Sequence, residues 1–542
     1  MKRTMFRIWT TYYYIFFILV IGLALFFIQI TLKDYALDDA YIHFRIVNNF
    51  IENGVPYYNI EEALKVSTSS GWIVLLSAVL YLSQLLRLPF DLPVLAALVN
   101  ASMLIIGWTI YSIILTKYLT RSDSKLYFIL FFLLFVTICL ASSVGLMETT
   151  TSLVILGIGI LLILNGKMYG FIFMGMSLFF RPEFVIPVGL FTAYAMVKAP
   201  KKILSTLLFL LTGVLPFVVF DLVYYGTIVP HTVIAKSIIY ALPRIDSVET
   251  ILSRVRNSFF MFPGFVRLAG VYLFFALFIP SLFIGVFILR SLKKKSLNYY
   301  HKSGQTWLFL LWGMGILVLY IYGRVHVFLW YDPLYLVPLL MVIGYVLLTS
   351  TNSGERIFQS ILLAPMVIAS ALIIIQYLAA GALNPAYFPA FSEGARARQY
   401  VSIGQTLYSR YPNANLMTSE IGGLGYGFKG EIIDAAGLAT PEALKYAAEG
   451  SQASHSGGIS LKYIGSKRPD IIVSYDIFID YFSKEILLDQ YSISSYPLFL
   501  EDDITRSTIN TPWGNQYKRI YSDVEFLHVF INKDLLRSNG EG

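Results

Sequence analysis

The sequence predicts a polytopic α-helical membrane protein with about eleven transmembrane helices, followed by a C-terminal extracytoplasmic α/β domain. Three observations lead there. First, of 542 residues 57% are hydrophobic and only 14% charged, against roughly 45–50% and about 25% in soluble domains. Second, uncharged apolar runs recur over the first 380 or so positions, many near the length that crosses a hydrocarbon core of roughly 30 Å. Third, the composition turns mixed and polar after Asn384-Pro385 and stays so to Gly542. Soluble, fibrous and disordered classes are excluded.

The runs fall at 12–32, 92–116, 126–147, 149–166, 168–180, 184–197, 203–220, 268–289, 303–323, 333–354 and 357–380. The first is too long for a signal core and lacks a small-residue cleavage site, so it is expected to remain a helix. A shorter run, 72–86, decides the orientation of everything after it. If it lies along the surface as a juxtamembrane helix, Lys2, Arg3, Arg7, Lys117, Arg121, Lys125, Lys167, Lys198, the lysines at 201, 202 and 293–295, and Arg290, Lys302 and Arg356 all face the cytoplasm, opposed only by Asp123 and Glu355. Short Lys/Arg-rich loops stay inside. The N-terminus is therefore expected in the cytoplasm and the tail outside, with outward loops at 33–91, near 148, near 181, 221–267 and 324–332. Two domains follow, a transmembrane domain over 1–384 and an extracytoplasmic α/β domain over 385–542.

Within the tail, 414–420, 431–437, 470–476 and 524–533 read as short strands. Gly422, Gly423, Gly425 and Gly427 lack the spacing of a dinucleotide fingerprint or a P-loop and read as turn residues. The net charge of +8 is carried mostly at helix ends, which points to topology and contact with membrane lipids rather than to nucleic acid. A single cysteine, Cys139, allows neither an intramolecular disulfide nor a thiolate cluster.

The residues able to carry chemistry gather on the outward side. Asp38 and Asp39 follow the first run; adjacent carboxylates repel, which raises one of them toward a general base's working range, while the same pair would also cap a helix beginning at Ala40. Glu148, Arg181 and Glu183 sit at the next two outward turns, where ionisable groups near the hydrocarbon are expensive and commonly functional. Arg45, Arg181, His231, Lys236, Arg324 and His326 supply cations for a lipid phosphate. No HExxH, nucleophile elbow, P-loop or EF-hand occurs, so an activated lipid-linked substrate is the expected energy source.

In order along the chain, "DDAYIHFR" (38–45), "STSSGW" (67–72), "GLMET" (145–149), "RPEF" (181–184), "YGTIVPHTVIAKS" (225–237) and "GLGYGFKGEIIDAAGL" (423–438) resemble GT-C fold glycosyltransferases, most nearly the arabinofuranosyltransferase branch. The resemblance implies inverting transfer of a sugar from a polyprenyl-phosphate donor to a cell-envelope glycan or lipid acceptor, with Asp38 or Asp39 as general base. Some such enzymes hold a divalent metal, for which Asp39 and Glu148 are the matching oxygen ligands; others use none. His231 in the Pro-x-Thr stretch and Met147 in the Gly-Leu-Glu-Thr stretch depart from the family pattern. The tail is expected to be accessory. A flippase of lipid-linked sugars, an envelope polysaccharide polymerase or ligase, and an assembly scaffold are the competing readings. The expected location is a bacterial plasma membrane.

Overall fold

The computed structural model describes residues 20–120, 125–239, 297–323, 327–349, 353–383, 385, 392–447, 459–475, 491–497 and 526–540. The run at 268–289 lies outside them. The described chain is mostly helical, with a small sheet near its C-terminus.

The first helix, α1 (Val20–Thr31), leads into α2 (Asp38–Asn53), α3 (Ser70–Leu85) and α4 (Leu92–Ile113), which runs on as a π-helical stretch to Thr120. Then come α5 (Lys125–Val144), α6 (Thr149–Leu164), α7 (Gly170–Ser177), α8 (Val185–Lys198), α9 (Ile203–Tyr225) and α10 (His231–Ile239). After the gap follow α11 (Leu297–Tyr322), α12 (Asp332–Thr349) and α13 (Ser353–Ala382). Among the described residues three helical stretches are long and apolar enough to cross a membrane by length and composition: Leu92–Thr120, Pro200–Tyr225 and Gln305–Tyr322.

Between the adjacent runs 168–180 and 184–197 the chain breaks. The eight residues of α7 rise only about 12 Å, so this run is too short to cross by itself. The break places Arg181 between α7 and a 3-10 turn, Pro182–Phe184, and buries it. Pro182 has no amide to offer and favours an extended Arg181. Small residues let α7 and α9 approach closely: a Cβ on Gly175 or Gly213 would run into the facing backbone. The other face of α9 is open, with the apolar Leu204 and Val223 more than two-thirds exposed.

The tail begins with α14 (Ser392–Arg410), followed by β1 (Leu416–Thr418), α15 (Gly423–Gly427), β2 (Ile432–Asp434), α16 (Leu444–Ala447) and α17 (Leu461–Lys467). It ends with β3 (Ile471–Tyr475), β4 (Tyr491–Pro497), β5 (Phe526–Asn532) and α18 (Lys533–Ser538). The five strands form one sheet in the order β2-β1-β3-β5-β4. The first three are parallel, with Leu416 opposite both Ile432 and Ile471, and β5 runs antiparallel to β3 and β4. Four strands coincide with the sequence reading. The fifth, β4, closes the edge and has the serine-rich sequence YSISSYP, whose weak apolar alternation hid it.

Two apolar clusters hold the molecule together. One fills the helical bundle around Trp108, Phe135, Trp312 and Tyr335. The other joins α2 and α3 to the tail, with Phe44 and Trp72 in the same cluster as Tyr400, Leu416, Ile472 and Phe530.

Candidate active site

Asp38 and Asp39 occupy the first turn of α2, so the helix starts two residues before the expected Ala40, and Leu37 is its N-cap. Carboxylates are stabilised at that end of a helix. Successive helical residues point about 100° apart, and the two acids accordingly serve different faces of α2.

One face carries Asp38 and, two turns on, Arg45. Asp38 Oδ1 accepts the Gly423 amide at 2.7 Å and Oδ2 the Gly422 amide at 3.1 Å. Arg45 grips the other end of α15, donating to the carbonyls of Gly425, Phe428 (2.6 Å) and Gly430 (2.7 Å), while its Nε donates to the Tyr58 carbonyl at 2.7 Å. Around them Tyr58 donates to the Ile421 carbonyl, and Asn59 both donates to and accepts from the Ile432 backbone. The glycine-rich stretch thus does cradle an anion, and the anion is this chain's own Asp38. Its carboxyl is pushed up to about 6, chiefly by burial, against the opposing pull of the Gly423 amide.

Arg45 was expected at a donor phosphate. Its guanidinium is buried and its donors are occupied by carbonyls, so it is corrected to an anchor of the tail.

The other face of α2 carries Asp39 and His43, one turn apart, and lines a pocket of about 430 Å³ measured out to its open mouth. Opposite stand Glu148, Arg181 and Lys236, with Trp330 and Tyr331 along one side. Lys236 Nζ lies 3.6 Å from Asp39 Oδ2, both partly exposed. Deeper in, Arg181 donates to Glu148 Oε1 at 2.8 Å and to Thr149 Oγ1 at 3.0 Å, and its guanidinium lies over the Tyr331 ring. Glu183 accepts from Tyr320 and stands 3.7 Å from Arg181, supporting the cation from behind.

The tail is a wall of this pocket through Leu438. Asp434 shapes the wall: its carboxylate accepts the amides of Ala436 (2.8 Å) and Ala439 (2.6 Å), and Thr440 Oγ1 accepts the Asp434 amide. His231, also expected at the phosphate, is not among the pocket-lining residues. Its ring meets the Gly437 carbonyl at 3.1 Å and its amide donates to the Lys65 carbonyl, so it is corrected to a prop between the tail and the first loop. Arg324 and His326 lie outside the described residues.

Several site residues escaped the sequence reading. His43, Ser67 and Thr232 line the pocket; the only signal for His43 was its spacing of four from Asp39. A buried Lys65–Asp221 ion pair, with Ser70 Oγ on the other Asp221 oxygen and the Ile228 carbonyl on Lys65, fixes the segment Val66–Thr68 against α9.

The pocket does not fit a divalent metal. Hard cations take six or more oxygen ligands, whereas Asp39 faces Lys236 and Glu148 faces Arg181. Among the described residues no group of three or more His, Cys, Asp or Glu side chains is arranged to hold one.

Residues 390–525 match a family model described as Domain of unknown function (DUF8728). No curated protein matches the chain.

Proposed function

We propose that the protein is a membrane glycosyltransferase of the GT-C type, which transfers a sugar from a polyprenyl-phosphate donor to an envelope glycan or lipid acceptor on the extracytoplasmic face. The observation that carries this reading is the pocket itself. A partly exposed carboxylate, Asp39, stands at its mouth beside Lys236, with the buried Arg181 further in. The same fold carries long apolar helices, among them α9 with its exposed outer face, which suits a lipid-linked substrate.

The chemistry is a single displacement with inversion. The acceptor hydroxyl oxygen forms a bond to the anomeric carbon as the bond from that carbon to the phosphate oxygen breaks. The hydroxyl proton passes to Asp39, and the bonding pair leaves with the polyprenyl phosphate. A general base contributes roughly 10²–10⁴-fold to such a step. Charge developing on the leaving phosphate is met by Lys236 and Arg181, in a setting where fixed charges act more strongly than in water.

The topology proposed with it is an odd number of crossings, in which the short run 168–180 and its neighbour 184–197 enter and leave the membrane on the same side, with a cytoplasmic N-terminus and an outward tail in a bacterial plasma membrane. The test is transfer by the purified protein in lipid from radiolabelled polyprenyl-phosphate sugars to envelope extract. Turnover that requires Asp39 supports the reading. Movement of labelled lipid across the bilayer without sugar release replaces it with a transporter.

A further inference from the structure

At the inner end of the pocket Glu148 is 1% exposed. One of its oxygens is held by Arg181, and the other, Oε2, has no hydrogen-bond partner among the described residues. A buried carboxylate oxygen without a donor costs free energy until something supplies one. The nearest nitrogen, His43 Nε2, stands 3.7 Å away, beyond hydrogen-bond reach.

The proton on His43 is placed by the carboxylate it faces. Glu148 Oε2, 3.7 Å from Nε2, favours an N–H there over a lone pair, and Ser67 Oγ, which accepts the Ser69 amide at 3.0 Å, can then donate to Nδ1 at 3.1 Å. Burial holds His43 below its ordinary value, so the ring is neutral at pH 7. A donor and an acceptor therefore face each other across a gap too wide for a direct bond. A phosphate there would meet the Glu148 charge, and an ammonium would meet the His43 N–H. A hydroxyl oxygen set to one side of the His43–Glu148 line suits both, donating to Glu148 and accepting from His43 at ordinary distances of about 2.7–2.9 Å.

We propose that His43 and Glu148 form a hydroxyl-reading pair that selects the donor by one hydroxyl of its sugar. The inference rests on the glycosyltransferase reading. The donor rather than the acceptor is assigned to it because the pair lies deep beside Arg181, whereas Asp39, where an acceptor hydroxyl must arrive, is partly exposed at the mouth.

The experiment is equilibrium binding to the full-length protein in lipid nanodiscs. The probes are a panel of polyprenyl-phosphate pentoses and hexoses, then the monodeoxy and monofluoro analogues of the tightest binder. One deoxy position is expected to weaken binding by about 10- to 100-fold, the size of one charge-assisted hydrogen bond. Fluorine at that position should not restore binding, since it cannot donate to Glu148. His43→Phe and the conservative Glu148→Gln should each shrink the discrimination at that position alone, since each weakens one of the two bonds to the hydroxyl. If every deoxy analogue binds within threefold of its parent, water rather than sugar occupies the gap and the proposal is overturned. The same holds if discrimination is undiminished in both variants. A wild type that binds no lipid-phosphate sugar overturns the glycosyltransferase reading as well.

Discussion

Asp38 and Asp39 are covalent neighbours whose surroundings give them different work. Asp38 accepts two amides of the tail, and Asp39 faces Lys236 across the pocket. Asp39→Asn is expected to reduce sugar transfer by roughly 10²–10⁴-fold while leaving the melting temperature of the purified protein unchanged; a lowered melting temperature would mark Asp39 as structural. Asp38 should instead appear in the dependence of stability on pH. Its carboxyl, facing Asp39 and Arg396, is raised from 3.8 to about 6 in the folded chain. Its contribution is therefore fully present below pH 3.8 and is lost as the pH rises through 6. Asp38→Asn should flatten the fall in stability over that window, read from thermal unfolding at pH 4, 5, 6 and 7. That the two acids stand at the start of a helix was legible in the sequence. Which acid does what was not, because the amides that claim Asp38 lie 384 and 385 positions further along the chain.

At the scale of elements, α2 acts as a two-sided plate that holds α15 by both ends and presents the site on its other side. Gly422 is where the two approach most closely, since a Cβ there would run into the Asp38 carboxyl and backbone. Gly422→Ala is expected to destabilise the protein by about 1–3 kcal/mol and to raise amide exchange over 422–430; unchanged exchange would mean that α2 does not hold α15. Arg45→Lys should behave similarly, because an ammonium cannot replace a planar fork shared among several carbonyls. Most helices were legible from apolar runs, because a long uninterrupted apolar run satisfies its own backbone hydrogen bonds most readily as a helix. The break at Arg181 was legible too, but the shortness of α7 was not, since the whole run 168–180 is apolar while only Gly170–Ser177 is α-helical. The buried Lys65–Asp221 pair was equally hidden: each residue looks solvated until the fold brings them together.

Over the whole molecule, the tail is more than an appendage. It shares an apolar cluster with α2 and α3, closes the pocket with Leu438, and is tied to the first loop through His231 and Gly437. The α/β character of this region was readable from its strands, but its share in the site was not, because Leu438 carries no chemical signal of its own. Reporters fused after Lys294 and after Gly542 should fall on opposite sides of the membrane; both on one side would contradict an odd number of crossings. The most direct test of the account compares wild type, Asp39→Asn and Asp38→Asn, purified in lipid, for sugar release from radiolabelled polyprenyl-phosphate donors. The account predicts turnover by wild type, near-abolition by Asp39→Asn and substantial turnover by Asp38→Asn. Turnover retained by Asp39→Asn and lost in a folded Asp38→Asn would contradict it.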